Sequence, residues 1–249
     1  REMKDDETML HGILRATAAH GRRWNVKAPS RQQSASRLIL VDARPQVTAF
    51  ANAAAGRGYE SLDFLNHAKW GVEGSGKVEL HFMNVENIHA MRGSYEAVIT
   101  AAGNAHDGNQ KFDFGGALAS SGWLQHLGMI LRTSCFAANQ LHVGNAVVVH
   151  CSDGWDRTAQ ITSLVQLFCD AYYRSIPGFL VLIEREWCAF GFQFALRGGA
   201  GTPASEAAPI FLQFLDCVYQ LTEQFPKHFE FSSYFLVTIA DAFYSGCFS

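Results

Sequence analysis

Short hydrophobic runs alternate along the chain with longer segments in which hydrophobic residues recur every three or four positions. Three runs rich in Val, Leu and Ile, the pattern of buried strands, lie at residues 37–42, 78–85 and 145–150. The helical periodicity predicts one helical turn after Pro45 and helices over residues 6–19, 87–99, 118–142, 158–173, 178–190, 208–224 and 231–246. Asn87 is the predicted N-cap of the second of these helices.

The order of these elements predicts an α/β fold with a central sheet flanked by helices and a helix-rich C-terminal half. Segments without periodicity, predicted as loops, lie at residues 22–36, 101–116 and 198–207. Because the sequence has neither internal repeats nor a clear linker, we predict a single domain over residues 1–249. The chain begins with Arg1 rather than Met, so we expect it to be truncated at its N-terminus relative to a longer protein.

The composition narrows the class of protein. Of 249 residues, 48% are hydrophobic and 17% are charged, which excludes wholesale disorder and a disulfide-dense miniprotein. Lys and Arg total 20 against 23 Asp and Glu, and a net charge of −3 argues against a nucleic-acid partner. The six cysteines contain no Cys-x-x-Cys pair, and no signal peptide or membrane-spanning run is present, so we expect a cytoplasmic protein.

The strongest chemical signal is the segment from His150 to Thr158, called here the signature segment, which joins a predicted strand to a predicted amphipathic helix. Backbone N–H groups at such a junction bind anions. Cys151 lies at the end of the strand, where this positive field makes a cysteine a nucleophile at neutral pH. Arg157 begins the helix and can bind two oxygens of a phosphoryl group. Gly154 allows the sharp path of the loop.

Two carboxylates and a hydroxyl within the segment supply the other groups that phosphoryl transfer needs. In-line attack by sulfur requires a proton donor for the leaving oxygen, and the phosphocysteine then requires a base for water. Asp153 and Asp156 are the candidates, and the Thr158 hydroxyl can stabilise the departing sulfur. A Cys-x₅-Arg spacing alone is weak, since most cysteines are small buried core residues. The flanking residues and the strand–loop–helix context favour the phosphatase interpretation.

Other motifs predict less. Residues 71–77 resemble a Walker loop, but Val78 stands where Ser or Thr would hold Mg²⁺, so a surface turn is favoured. No pair of the ten histidines has the acidic or thiol residues expected of a zinc site nearby, and we therefore expect no metal ion and no cofactor. Trp155 is predicted either to contact a ligand or membrane interface or to pack over the loop.

Residues 150–160 resemble the signature loop of the myotubularin family of phosphoinositide 3-phosphatases. The resemblance extends from about Leu38 to Phe248 and corresponds to the C-terminal two-thirds of the family's catalytic domain. The further motifs, in order, are Val41-Asp-Ala-Arg-Pro45, Ala51-Asn52, Gly58-Tyr-Glu60, Asn87-Ile-His-Ala-Met-Arg92, Trp123-Leu-Gln-His-Leu127, Glu186-Trp187, Pro209-Ile-Phe-Leu-Gln-Phe214 and Gln224-Phe-Pro226. A series of this length in the same order is highly specific to that family.

The resemblance implies a protein-tyrosine-phosphatase-like fold, the one used by cysteine-based phosphatases. It also implies removal of the 3-phosphate from phosphatidylinositol 3-phosphate, and from the 3,5-bisphosphate, through a phosphocysteine intermediate. Carried over to this sequence, Cys151 is the nucleophile, Arg157 the phosphate clamp and Asp156 the general acid. The implied substrate-binding residues are Ser152, Asp153, Gly154, Trp155, Thr158, Asn52, Asn87 and Arg197.

One position departs from the family pattern. The family usually has Gly-His-Arg-Phe before the position of Arg197, whereas this chain has Gly191-Phe-Gln-Phe194, so Gln193 replaces an arginine expected to face the headgroup. Loss of that cation should weaken binding of a second phosphate more than it slows the chemical step. We therefore expect the monophosphate to be favoured over the bisphosphate.

The resemblance further implies partners and a location. It implies a phosphoinositide headgroup at a membrane surface, recruitment from the cytoplasm to endosomal membranes, and homo- or heterodimerisation through regions outside this chain. The PH-GRAM and coiled-coil modules of the family are not recognisable in these 249 residues. Two alternatives stay open: a protein tyrosine or dual-specificity phosphatase, and a catalytically weak phosphoinositide-binding scaffold. The two aspartates of the loop favour a polyol headgroup, and the presence of both Cys151 and Arg157 favours catalysis.

Overall fold

A parallel three-stranded sheet organises the described part of the chain. The computed structural model describes residues 8–10, 12–17, 37–54, 78–106, 112–199 and 203–245, with only the backbone of 52–54. Strand β1 (Leu38–Asp42) lies between β2 (Val78–Phe82) and β3 (Ala146–His150). Asp42 is in register with Phe82 and with His150, so the three carboxyl ends meet at one edge of the sheet. All three predicted strands are confirmed.

Ten α-helices lie within the described ranges. They are α1 (residues 8–10 and 12–17), α2 (Gln46–Ala54), α3 (Ile88–His106), α4 (Phe114–Ser120), α5 (Trp123–His142), α6 (Arg157–Cys169), α7 (Ile176–Ile183), α8 (Phe194–Gly198), α9 (Ile210–Gln224) and α10 (Ser233–Ser245). Short 3₁₀ turns follow α6 and α9, and a π-helical turn follows α7; they span Ala171–Arg174, Pro226–His228 and Glu184–Ala189. None of the helices in this part of the chain is long and hydrophobic enough to cross a bilayer.

Every residue of β1 is buried, because helices cover both faces of the sheet. Leu10 and Leu14 of α1 pack with Leu38 and Leu40 on one face. Val149 of β3 points the other way and packs against the main hydrophobic core, to which α5, α6, α7 and α9 contribute. A strand buried on both faces requires a continuous hydrophobic run, and this is what β1 has. The predicted α/β arrangement and the helix-rich C-terminal half are confirmed.

Two predicted boundaries in the first half of the chain are wrong. β2 ends at Phe82 rather than at residue 85, because Asn84 adopts a left-handed conformation with φ of 55° that ends the strand. The loop predicted over 101–116 is partly helical, since α3 continues to His106 and α4 begins at Phe114. Ala101 is buried, and α3 continues beyond it through five exposed residues despite the low helix propensity of the Gly and Asn among them.

Two predicted helices are interrupted. The helix predicted over 118–142 is divided at Gly122, whose φ of 79° separates α4 from α5. The helix predicted over 158–173 ends at Cys169, because the carboxylate of Asp170 accepts a hydrogen bond from the Tyr172 N–H (2.8 Å) and starts a 3₁₀ turn. The predicted loop over 22–36, the motif at Gly58-Tyr-Glu60 and the Walker-like residues 71–77 lie outside the described residues.

A buried ion pair lies at the end of β1, and we expect it to contribute strongly to the free energy of unfolding. Asp42 accepts hydrogen bonds from Nε (2.9 Å) and Nη2 (2.7 Å) of Arg44, and both side chains are buried. Breaking a buried ion pair by removing one partner costs about 3–5 kcal/mol, so Asp42→Asn should lower the free energy of unfolding in urea by about that amount. The control is Glu79→Gln, which removes the exposed pair with Arg37 and should cost at most about 1 kcal/mol. Equal losses would refute this account of the edge.

Candidate active site

The signature segment joins β3 to α6 at the carboxyl edge of the sheet, as the sequence predicts. β3 ends at His150 and α6 begins at Arg157, so Cys151 directly follows the strand. The loops after β1 and β2 reach the same edge, because the Ala43 N–H donates to the His150 carbonyl (2.9 Å) and the Val85 N–H to the Ala43 carbonyl (2.8 Å). Parallel α/β sheets bind their ligands outside this edge.

Cys151 is buried, and its sulfur accepts a hydrogen bond from the backbone N–H of Gly154 at 3.3 Å. Gly154 has a φ of 93°, a conformation that a residue with a side chain rarely adopts. A backbone N–H directed at sulfur stabilises negative charge there, which both attack and departure of a thiolate require. The glycine thus gives the loop the path that brings this donor to the cysteine.

The other four described cysteines lie in settings that oppose ionisation. Burial raises the pKa of the Cys217 thiol well above its usual value, and Asp216 raises it further. Burial also raises the pKa of the remaining three, with added repulsion from neighbouring carboxylates at two of them; these are Cys135, Cys169 and Cys188. Since the thiolate is the nucleophile, these positions are poor candidates for catalysis.

The guanidinium of Arg157 is fixed between two loops. Its Nη1 donates to the Val85 carbonyl (3.1 Å), in the loop after β2, and its Nη2 donates to Ser152 Oγ (3.2 Å). These two bonds use two of the five N–H donors of a guanidinium. The side chain is buried, so the cation is held in one orientation, bonded to the residue that follows Cys151. This arrangement suits a clamp for phosphoryl oxygens.

Asp156 precedes α6 but does not cap it with its side chain. Its carboxylate instead accepts two hydrogen bonds from Arg197 of α8, one from Nε (2.9 Å) and one from Nη2 (2.8 Å). Both side chains are buried. The predicted general acid and the predicted basic pocket residue are therefore brought together as a bidentate ion pair.

Arg197 has a second acidic partner. Its Nη1 donates to the backbone carbonyl (2.9 Å) and to the side-chain carboxylate (3.1 Å) of Glu206. The hydrogen bonds from Arg197 to Asp156, and then those to Glu206, raise the pKa of the guanidinium despite its burial. Arg197 is thus a permanently charged group between two carboxylates.

Three buried polar atoms of the signature segment have no hydrogen-bond partner among the described residues. They are His150 Nε2, Trp155 Nε1 and Thr158 Oγ1. Three further residues of the segment, Ser152, Asp153 and Gly154, are exposed. A buried polar atom without a partner costs free energy, so an incoming polar ligand or water gains by pairing with it.

The two asparagines implied by the resemblance are placed differently. Asn87 lies in the loop after β2, where its Oδ1 accepts hydrogen bonds from the N–H groups of His89 (3.0 Å) and Ala90 (3.2 Å). Its predicted role as the N-cap of α3 is confirmed, and its exposed amide stays a predicted headgroup ligand. Asn52 lies in α2, and its side chain is outside the described part.

Sequence reasoning missed two contributors to the site. The Val85 carbonyl fixes Arg157, and no sequence signal indicates a role for a backbone oxygen in a neighbouring loop. Glu206 binds Arg197, and here a signal existed, because Glu206 is the one acidic residue between positions 198 and 207. Across the described ranges, no group of three or more His, Cys, Asp or Glu side chains is placed to hold a metal ion.

Comparison with known proteins supports the resemblance. The family model for a myotubularin-like phosphatase domain matches residues 1–249, more than the span from Leu38 to Phe248 that the motifs cover. The phosphatidylinositol-3,5-bisphosphate 3-phosphatase MTMR6 from Homo sapiens is 44% identical over 211 residues, covering 84% of this chain and 32% of that protein. Myotubularin from Rattus norvegicus is 42% identical over 249 residues, covering 98% of this chain and 37% of that protein.

A third relative matches the chain with similar identity and coverage. The phosphatidylinositol-3,5-bisphosphate 3-phosphatase MTMR2 from Mus musculus is 41% identical over 253 residues, covering 98% of this chain and 34% of that protein. The chain thus spans about a third of the length of the curated relatives it matches. Since the family model matches the entire chain, the chain belongs to the family of myotubularin-like phosphatases.

Proposed function

We propose that this chain carries the catalytic site of a phosphoinositide 3-phosphatase that hydrolyses the D3 phosphate of phosphatidylinositol 3-phosphate. The observation that carries the proposal is the signature segment, in which the sulfur of buried Cys151 accepts a hydrogen bond from the Gly154 N–H, and the guanidinium of Arg157 is fixed by Val85 and by Ser152, the residue after Cys151. We further propose a protein-tyrosine-phosphatase-like fold, which the parallel sheet with this segment at its carboxyl edge supports. Relatives named as phosphatidylinositol-3,5-bisphosphate 3-phosphatases support the substrate class.

In the first step the Cys151 thiolate attacks phosphorus in line with the leaving inositol oxygen. An S–P bond forms, the P–O bond to carbon 3 of inositol breaks, and the leaving oxygen takes a proton from the Asp156 carboxyl. Arg157 and the backbone N–H groups of the segment bind the equatorial oxygens, where negative charge is spread in the transition state.

In the second step water attacks the phosphorus of the phosphocysteine. The Asp156 carboxylate accepts the proton of the water, the S–P bond breaks, and inorganic phosphate leaves with Cys151 again as a thiolate. The Gly154 N–H stabilises the departing sulfur. The Thr158 hydroxyl, which is buried without a partner among the described residues, is the second group that we assign to this task.

The headgroup is proposed to lie over the exposed part of the signature segment. Ser152 and Asp153 offer oxygen atoms for the inositol hydroxyls, and the indole N–H of Trp155 is unpaired among the described residues. Asn87 reaches the same edge of the sheet from the loop after β2. We propose that the complete protein meets this headgroup on endosomal membranes, and that any dimer forms through regions outside this chain.

Phosphate release from vesicles tests the proposed function directly. The chain is incubated with vesicles that contain the 3-, 4- or 5-monophosphate of phosphatidylinositol, and with a phosphotyrosine peptide. We expect release from the 3-phosphate at a kcat/KM at least about tenfold above that for the other substrates, because a positioned transition state is sensitive to small displacements. Preference for the phosphotyrosine peptide would refute the lipid assignment, and no release from any substrate would refute catalysis.

The preference for the monophosphate rests on Gln193, which is exposed and donates its amide to the Gly191 carbonyl (2.9 Å). We expect Gln193→Arg to raise kcat/KM for the 3,5-bisphosphate by about tenfold, since a charged hydrogen bond contributes about 1.5–3 kcal/mol, and to leave the 3-phosphate nearly unchanged. Phosphate release from the two lipids in matched vesicles measures this. Gln193→Glu is the control and should lower the bisphosphate rate, while equal effects on both lipids would contradict the assignment.

A further inference from the structure

The loop after β2 contains an extra residue where it leaves the sheet. The Met83 N–H still donates to the Asp42 carbonyl (2.9 Å), as the parallel register of β1 and β2 requires. In a regular ladder the Val85 N–H would bind two residues beyond Asp42, but it donates instead to the carbonyl of Ala43, the next residue (2.8 Å). Two residues of one loop thus advance past one residue of the other, which makes Asn84 the extra residue of a bulge.

The bulge depends on the backbone conformation of Asn84. With a φ of 55°, Asn84 is the one residue other than glycine that has a positive φ within the described ranges. Asn and Gly adopt this left-handed region readily, whereas a β-branched residue is strained there. The Asn84 side chain is exposed and is not among the described partners of Arg157. What Asn84 determines is therefore the course of the backbone from residue 83 to residue 85.

This course sets the direction of the Val85 carbonyl. Val85 is buried, its N–H binds the Ala43 carbonyl, and its own carbonyl accepts the bond from Arg157 Nη1 (3.1 Å). The Ala43 N–H in turn donates to the carbonyl of His150, the last residue of β3 (2.9 Å). A series of three hydrogen bonds therefore leads from the end of β3, across both neighbouring loops, to the guanidinium of Arg157.

We propose that Asn84 is a positioning residue for Arg157, because its left-handed conformation directs the Val85 carbonyl at the guanidinium. The inference rests on the proposed function in one respect, namely that Arg157 binds the phosphoryl oxygens. Val85 binds Nη1 and Ser152 binds Nη2, so without the Val85 bond the guanidinium would lose one of its two described anchors. A donor lowers the barrier most when its orientation is fixed before the substrate arrives.

The first test compares Asn84→Val with Asn84→Gly on p-nitrophenyl phosphate and on the 3-phosphate lipid in vesicles. Valine is strained at positive φ, and we expect kcat to fall by about 10- to 100-fold on both substrates, the effect of one hydrogen bond to a charged group. Glycine adopts this conformation freely and should restore kcat to within about twofold of the wild type. An unchanged kcat in the valine variant, or an equal loss in both variants, would overturn the proposal.

Asn139→Val is the matched control. Asn139 is exposed on α5, where valine and asparagine have similar helix propensities, so kcat should stay within about twofold. Urea unfolding and circular dichroism of both valine variants separate positioning from stability. If Asn84 had a structural role alone, Asn84→Val would lower the urea midpoint and leave the kcat of the folded enzyme unchanged, and this result would contradict the proposal.

A double-mutant cycle with Arg157→Lys tests whether the effect passes through the arginine. Lysine has a single nitrogen, which cannot bind the Val85 carbonyl and two phosphoryl oxygens as the fork does. Adding Asn84→Val to Arg157→Lys should therefore lower kcat for p-nitrophenyl phosphate by less than about twofold further. Losses that multiply would mean that Asn84 acts elsewhere than on Arg157, and would overturn the proposal.

Binding of tungstate, an unreactive oxyanion, separates this inference from the proposed function. Calorimetry should give Asn84→Val a Kd about three- to tenfold above that of the wild type, less than the effect on kcat, and Asn84→Gly a Kd within about twofold. If the wild type hydrolyses p-nitrophenyl phosphate but no phosphoinositide, the proposed function fails, while these two series still decide the role of Asn84. Equal tungstate affinity in the wild type and the valine variant would overturn that role.

Discussion

Replacement of Cys151 by serine is expected to abolish turnover of phosphatidylinositol 3-phosphate, with a fall in kcat of at least about 1,000-fold. Serine differs from cysteine by one atom, so the buried site at the end of β3 keeps its shape. A serine hydroxyl is un-ionised at neutral pH and is a far weaker nucleophile than a thiolate, so the nucleophile is lost. Binding should persist, because Arg157 and the loop N–H groups are untouched.

The matched control is Cys135→Ser. Cys135 lies on α5, outside the signature segment; the residue is exposed, and partial desolvation of its thiol raises its pKa. This variant should retain kcat within about twofold, as surface substitutions usually do. Phosphate release and vesicle co-sedimentation are measured for both variants. Turnover that survives Cys151→Ser, or that disappears in Cys135→Ser, would contradict the assigned nucleophile.

Replacement of Arg157 by lysine is expected to lower kcat/KM by about 100- to 1,000-fold, the effect of removing one preorganised donor from a transition state. Lysine keeps the positive charge but loses the planar fork that reaches the Val85 carbonyl and Ser152 Oγ while binding two phosphoryl oxygens. Most of the loss should fall on kcat, because charge on the phosphoryl oxygens is largest in the transition state.

Arg132→Lys is the control for this substitution. Arg132 is exposed on α5, and its replacement should change kcat/KM by less than about twofold. Steady-state kinetics on vesicles, together with circular dichroism to verify folding, measure both variants. An Arg157→Lys enzyme with nearly normal kcat and only a raised KM would mean that the arginine binds substrate and transition state equally.

Much of the fold could be predicted because the segments with a strand or helix pattern in the sequence are the ones that the fold packs as strands and helices. The hydrophobic run of β1 is buried and that of β3 is buried or half-buried, and the predicted strand–loop–helix order put Cys151 after the strand and Arg157 at the start of the helix, where the structure has them. Where the sequence misled, a single backbone conformation or a packing contact decided the outcome. The left-handed Asn84 ends β2, and the positive φ of Gly122 divides the predicted helix over 118–142.

The hydrogen-bond partners of Asp156 could not be predicted from the sequence, for a different reason. Residues 156, 197 and 206 come from three separate segments, and the ion pairs among them arise only when α8 packs beside the signature segment. Sequence patterns report local periodicity, whereas these contacts depend on tertiary structure. The one sequence feature that pointed to these contacts is Glu206, the single acidic residue in the segment 198–207.

The central claim, a phosphocysteine on Cys151, is tested most directly by trapping it. Asp156→Asn removes the base of the second step, while p-nitrophenyl phosphate needs no acid in the first, so the intermediate should accumulate. The account predicts a burst of one nitrophenolate per chain and, after acid quench and mass spectrometry, one phosphoryl group on the peptide that contains Cys151. A phosphoryl group on another residue, or continued turnover without any phosphorylated peptide, would contradict it.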